Sequence, residues 1–306
     1  MTNRRVVDRY WDSLGRENAI HEVERTGFVH PASDHNTHLV NHIDPSVIID
    51  CPDVTIGVGV TIERGTKIKA DKLVISDFVY IGDNVTLRAP EIRIGDYTRL
   101  NALSYGGGRK PLILGRNLYL GRGVYLDSNG GLTLEDNVAA GAGSQVWTHI
   151  QHGDQIQGLN PRWHQERALT IRKDAWLVGR VVVSNAQDIG ARALVLNESN
   201  VLCDIPADTT WAGNPAKDVT EKVGRQFEPL FDSERESLFL ASIDRFEAAH
   251  PEHISYIAIG KEYGAPWGKQ LSYFDPISRT YTKRRTAAEV AFLRFTSGKF
   301  VPTGEA

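Results

Sequence analysis

The sequence predicts a solenoid of short, stacked parallel β-strands, with a helix before it and a small α+β appendix after it. Three observations carry that expectation. Aliphatic residues recur at every sixth position through Ile171, Leu177, Val183, Ile189, Val195 and Val201, a period that fits neither a helix (about 3.6) nor a strand (about 2). Tripeptides such as Ile81-Gly82-Asp83, Ile94-Gly95-Asp96 and Ile189-Gly190-Ala191 recur where tight corners need small or left-handed-tolerant residues. A content of 28 glycines and one methionine suits a turn-rich β architecture better than a helical bundle. A short period held over many cycles means one unit stacked on copies of itself. Each six-residue unit then forms one strand and one turn, three units close a triangular coil, and the in-register residue points into a shared aliphatic core.

Taken in order, residues 3–25 place Val6, Val7, Tyr10, Trp11 and Leu14 at helical spacing, which predicts an amphipathic helix broken near Gly15. Residues 28–45 bring His30, His35, His38 and His42 close together. Without a cysteine, and with a spacing that matches no zinc pattern, they read as a surface loop. The hexads begin near Ile56 and run through Ile62 and Ile68, then Ile75, Ile81 and Leu87, then Ile94 and Leu100, with one-residue slips between groups. Residues 104–111 (SYGGGRKP) are expected to loop out before the register resumes at Leu114, Leu120 and Leu126, then Leu134, Ala140 and Val146. A longer insertion, residues 147–169, precedes the final run. After Lys217 the pattern stops. The appendix shows a capped helix from Asp232 to Ala249, strand-like stretches at 253–259, 270–274 and 281–283, and a helix over 286–295. Its aromatics, Tyr256, Tyr263, Trp267, Tyr273, Phe274 and Tyr281, read as a core in preference to a sugar-binding face. The expected domains are residues 1–45, 46–220 and 221–306.

Composition narrows the function classes. At 306 residues the chain can bury a sizeable core, and a formal charge of −3 argues against a dedicated nucleic-acid binder. Cys51 and Cys203, far apart in sequence, suggest no disulfide framework. No stretch reads as a signal peptide or approaches the ~20 apolar residues of a membrane span. These features together predict a cytoplasmic protein.

The end of the hexad run carries more specific information. Asp204-Ile205-Pro206-Ala207-Asp208 followed by Trp211-Ala212-Gly213-Asn214-Pro215-Ala216-Lys217 resembles the hexapeptide-repeat acyltransferases, within them the maltose, galactoside and nodulation sugar O-acetyltransferases. The resemblance covers roughly residues 50–220. It implies a left-handed parallel β-helix, a homotrimer, and acetyl-CoA or another acyl-CoA bound in grooves between neighbouring prisms. Gly179 and Asn197 stand where the family places small residues against the pantetheine arm. Lys217, with Arg180 and Arg192 behind it, would meet the donor's phosphates.

The family's catalytic histidine precedes its long loop, and here that region reads Ser144-Gln145-Val146-Trp147-Thr148-His149-Ile150-Gln151-His152-Gly153-Asp154. Val146 is the last inward residue, so His149 falls at the rim. His152 is the alternative base, and Asp154 is a candidate to orient either imidazole. An imidazole titrates near neutrality and can take the proton of a sugar hydroxyl as that oxygen attacks a thioester, with no covalent enzyme intermediate. Trp147, with Asn160 and Trp163 of the following loop, is expected to contact the acceptor. One departure stands out: Gly121–Asp127, where the family offers an asparagine, has none, and Asn129 lies nearby out of register.

The expected function is CoA-dependent O-acyl transfer to a sugar or glycan hydroxyl. N-acyl transfer to an amino sugar or nucleotide sugar is the near alternative, and a non-catalytic scaffold displaying the appendix is the alternative of another class. A zinc hydratase on the same prism needs three converging histidines, two of them five apart, whereas His149 and His152 are three apart. No metal is expected. Cys203 adjoins an inward valine and reads as structural.

Overall fold

The computed structural model describes residues 37–150, 165–260, 271–296 and 299–303. They fall into two compact units, one spanning Val40–Glu228 and the other comprising residues 37–39 with the chain from Pro229 onward. The helix expected over residues 3–25 lies outside the described residues, as do His30 and His35.

Val40–Glu228 forms the parallel β-helix that the hexads predict. Three sheets run the length of the unit, and in each of them successive coils pair in parallel register. Sheet A aligns Ile62, Ile81, Leu100, Leu120 and Ala140 with Leu177 and Val195. Sheet B aligns Ile68, Leu87, Gly106, Leu126, Val146, Val183 and Val201. Sheet C aligns Ile56, Ile75, Ile94, Leu114, Leu134, Ile171 and Ile189. From Ile62 to Val201, every aliphatic residue in these rows is at most 1% exposed, so the rows form one core. Replacing Leu120 (0% exposed) by Ala is expected to cost about 2–5 kcal/mol, the loss of its transfer energy plus a cavity that stacked neighbours cannot close. Urea unfolding followed by far-ultraviolet circular dichroism would read this as a lowered midpoint.

The coil starts earlier than the sequence suggested. Strands His42–Ile43, Ile48–Asp50 and Asp53–Ile56 form a first turn beneath Ile62 and Ile68. Among the described residues this turn ends all three sheets, and its inward residues are less covered than those above. That exposure blurs the hexad pattern there.

Residues 104–111 are not an insertion. Tyr105–Gly107 is a regular strand of sheet B, with Gly106 in the inward row between Leu87 and Leu126. A Cβ on Gly106 would lie 2.9 Å from both Leu87 and Leu112 side chains. Two leucines fill the space that a hexad residue fills elsewhere, which is why the aliphatic repeat vanishes from the sequence while the coil continues.

All irregularity of the repeat gathers at one corner. From sheet C to A and from A to B, the inward residues are always six apart, and the residue three beyond each takes positive φ. Gly65, Asn84, Leu103, Gly123, Gly143, Arg180 and Glu198 form one such column. The corner from sheet B to C instead lengthens, from six residues (Val183 to Ile189) to seven (Ile68 to Ile75) and eight (Leu126 to Leu134), and it also receives the long insertion. The solenoid ends in an antiparallel hairpin, Thr210–Gly213 with Ala216–Asp218, which continues sheet A and carries a cis Asn214–Pro215 bond at its tip.

The second unit packs helices Asp232–Ala249 and Ala287–Phe295 with a four-stranded sheet. Its sheet strands are Ile257–Ile259, Ser272–Asp275, Thr280–Tyr281 and Val301–Pro302. Tyr256, Phe274 and Tyr281 are buried there as expected, beside Phe239, Phe246 and Phe292, whose rings meet edge-on. Tyr263 and Trp267 lie outside the described residues.

Candidate active site

The lengthened B-to-C corner is where the chemistry-bearing residues meet. Beyond Val146 the chain leaves sheet B, and His149–Ile150 pairs antiparallel with Gln165–Glu166. These two short strands lie just beyond the coil, and His149 opens the first of them. Arg167 then closes back onto the coil, donating its N–H to Thr148 O at 2.9 Å. Its backbone crosses directly over Gly130, where a Cβ would lie 2.4 Å from Arg167 O. Only glycine allows that approach.

A buried carboxylate orients the imidazole. Asp127, 1% exposed, places Oδ2 2.8 Å from His149 Nδ1. The same oxygen accepts from Thr148 N at 2.9 Å and Thr148 Oγ1 at 2.7 Å, while Oδ1 accepts from Asn129 Nδ2 at 2.6 Å. Burial works to raise the Asp127 pKa, but the hydrogen bonds from His149 and Thr148 outweigh it and hold the carboxyl below 3.8. Asp127 is therefore ionised at neutral pH. An ionised acceptor at Nδ1 requires the proton on Nδ1 and leaves Nε2 as the free lone pair. The His149 side chain is 27% exposed.

Asn129 also approaches His149 Nδ1, at 3.2 Å. Although out of the hexad register, it lies twenty residues before His149, one full coil in this part of the solenoid (Leu126 pairs with Val146). That coil pitch was the available signal for Asn129, whereas Asp127, twenty-two residues before His149, falls two residues outside it. The hexad count hid it, because the corner holds two extra residues. Asp127 is thus an orienting partner that the hexad reading did not name. His152, Asp154, Asn160 and Trp163 lie outside the described residues.

A shallow depression open to solvent lies beside the dyad, lined by Trp147, Thr148, His149, Arg167, Ser184 and Asn185 among others. Trp147 ends an aromatic stack: Tyr105 and Tyr125 are 4.9 Å apart between centroids, and Tyr125 and Trp147 4.5 Å. The donor candidates stand elsewhere. Gly179 and Asn197 occupy successive levels of the A-to-B corner, where Glu198 N donates to Gly179 O at 3.0 Å. Arg180 is ion-paired with Glu198, and Arg192 with Asp208. Lys217 is on the terminal hairpin, opposite Ala212. None of these five candidates lines the His149 pocket. Among the described residues, no three His, Cys, Asp or Glu side chains gather as a metal site, and no helix is long and apolar enough to cross a membrane.

No protein-family model matches the chain, and no curated protein matches it. Among solved structures, the polysialic-acid-specific acetyltransferase NeuO aligns at 17% identity and TM-score 0.44, over 68% of this chain and all of that one. PerB from Caulobacter crescentus, solved with CoA and GDP-perosamine, aligns at 20% identity and TM-score 0.29, over 70% of this chain and 67% of that one. AntD, an N-acyltransferase from Bacillus cereus, aligns at 15% identity and TM-score 0.30, over 67% and 93%. Likeness at this level assigns no activity.

Proposed function

We propose that the chain is a CoA-dependent acyltransferase, an O-acetyltransferase acting on a sugar or glycan hydroxyl. The observation that carries this reading is the Asp127–His149 pair at the B-to-C corner, with Nε2 left free as a base beside an open pocket. His149 Nε2 takes the proton of the acceptor hydroxyl as its oxygen attacks the thioester carbonyl. The C–O bond forms, the C–S bond breaks, and the CoA thiolate leaves to be protonated. The resemblance of residues 204–217 to sugar O-acetyltransferases supports acetyl-CoA as donor, held along Gly179 and Asn197 with Lys217 at its phosphates.

The separation of the two groups within one chain supports a homotrimer. His149 occupies the B-to-C corner, and Gly179 and Asn197 occupy the A-to-B corner, across a strand of sheet B. A neighbouring prism can bring its own A-to-B corner to this pocket, which makes a complete site from two copies.

Release of free thiol from acetyl-CoA, followed with a thiol reagent across neutral sugars, amino sugars and nucleotide sugars, tests the assignment. Stoichiometric thiol release with an ester product is the expected result. An amide product places the enzyme with the N-acyltransferases. If no acceptor stimulates thiol release above the blank, the chain is a binding scaffold.

A further inference from the structure

The pocket next to His149 contains a cation that nothing described neutralises. Among its lining residues, Arg167 is the permanently charged one. The acid that holds His149 and the acid next to Arg167 in sequence are both already engaged. Asp127 accepts from His149, Thr148 and Asn129, and Glu166 is ion-paired with Arg109. No described residue pairs with the Arg167 guanidinium.

Trp147 lines the same pocket. Trp147 has one ring face covered by Tyr125, and its indole N–H is committed to Gln145 Oε1 at 3.2 Å. What it offers the pocket is ring carbon, a surface that suits the C–H face of a pyranose. An aromatic ring, a planar cation that no described residue pairs with, and a general base thus line one pocket. A guanidinium pairs with carboxylate or phosphate oxygens in a bidentate fork, which fixes orientation as well as charge.

We propose that the acceptor is an anionic sugar: its apolar face rests on Trp147, its negative group pairs with Arg167, and this two-point seating directs one hydroxyl at His149 Nε2. The anionic oxygens come either from a carboxylate on the sugar ring or from the phosphates of a nucleotide-activated sugar. The inference rests on the acyl-transfer reading for the reaction, but not for the binding.

Titration calorimetry of the full chain separates these cases. The probes are glycuronic acids, their carboxyl-reduced neutral counterparts, and uridine-diphosphate conjugates of the same neutral sugars. The wild type is expected to bind an anionic probe about tenfold or more tightly than its neutral counterpart, the scale of one charge-assisted contact. Preference for the acid over the conjugate identifies a ring carboxylate, and the reverse identifies phosphate. Arg167→Gln is expected to abolish the preference and Arg167→Lys to restore part of it, while Trp147→Ala weakens charged and neutral probes alike. Equal binding of charged and neutral probes by the wild type, or binding of neither anionic class, overturns the proposal. So does an Arg167→Gln variant that weakens acetyl-CoA alone, since the cation then serves the donor. An anionic preference that depends on Arg167, in a protein that transfers no acetyl group to the preferred probe, leaves this site standing and refutes the acyl-transfer reading.

Discussion

His149→Ala is expected to lower kcat by on the order of 10²–10⁴-fold, the usual contribution of a positioned general base. The loss should fall on kcat with little change in the KM for acetyl-CoA, because His149 does not line the corner assigned to the donor. The substitution also strips the imidazole from Asp127, a buried carboxylate that accepts a hydrogen bond from it at 2.8 Å. Circular dichroism and a thermal melt therefore accompany the kinetics, and His149→Asn, which keeps a donor near Asp127, serves as the second variant. A folded His149→Ala protein with full thiol release would end the assignment of His149. The parallel His152→Ala variant decides between the two histidines. If His149 is the base, its loss of rate should not be matched by His152→Ala.

Asp127→Asn is expected to reduce kcat by on the order of 10²–10⁴-fold even though the side chain is nearly isosteric. An amide presents either an N–H or a carbonyl to Nδ1. The N–H forces the proton onto Nε2 and removes the base, and the carbonyl no longer stabilises the imidazolium formed during transfer. An effect on kcat at constant acceptor KM marks this positioning role. A change in KM alone would mark a structural one.

The same carboxylate makes a pH prediction. The folded pKa of Asp127 lies below its ordinary value of 3.8, so its contribution to stability is present above that value. It is lost as pH falls through the lower folded pKa. The stability difference between wild type and Asp127→Asn should persist from pH 7 down to about 4 and shrink only below 3.8. An acid limb in the activity profile above that range does not belong to Asp127.

The site was only half legible. His149 could be placed from Val146, because the last inward residue of a strand fixes which residues reach the rim. Its partner could not, since Asp127 lies twenty-two residues earlier. The relation between them depends on the coil pitch, which changes along the chain from nineteen residues (Ile62 to Ile81) to twenty (Leu100 to Leu120). A hexad count assumes a pitch of eighteen, as at Leu177 to Val195, and so misplaces anything beyond the lengthened corner. Gly106 shows the same limit in the core: the sequence loses its aliphatic residue, and only packing reveals that Leu87 and Leu112 close the gap.

The sequence by itself determined the solenoid, because a buried row of aliphatic residues must recur at the spacing of the coil that buries it. It also placed the two helices of the appendix and the histidine at the rim. The tertiary structure decided which carboxylate holds that histidine, that the donor-side glycine and asparagine occupy a different corner, and that an arginine and a tryptophan share the base's pocket. The physical reason is that these relations run between coils: they depend on how many residues each corner consumes, and corner length carries no periodic signal of its own.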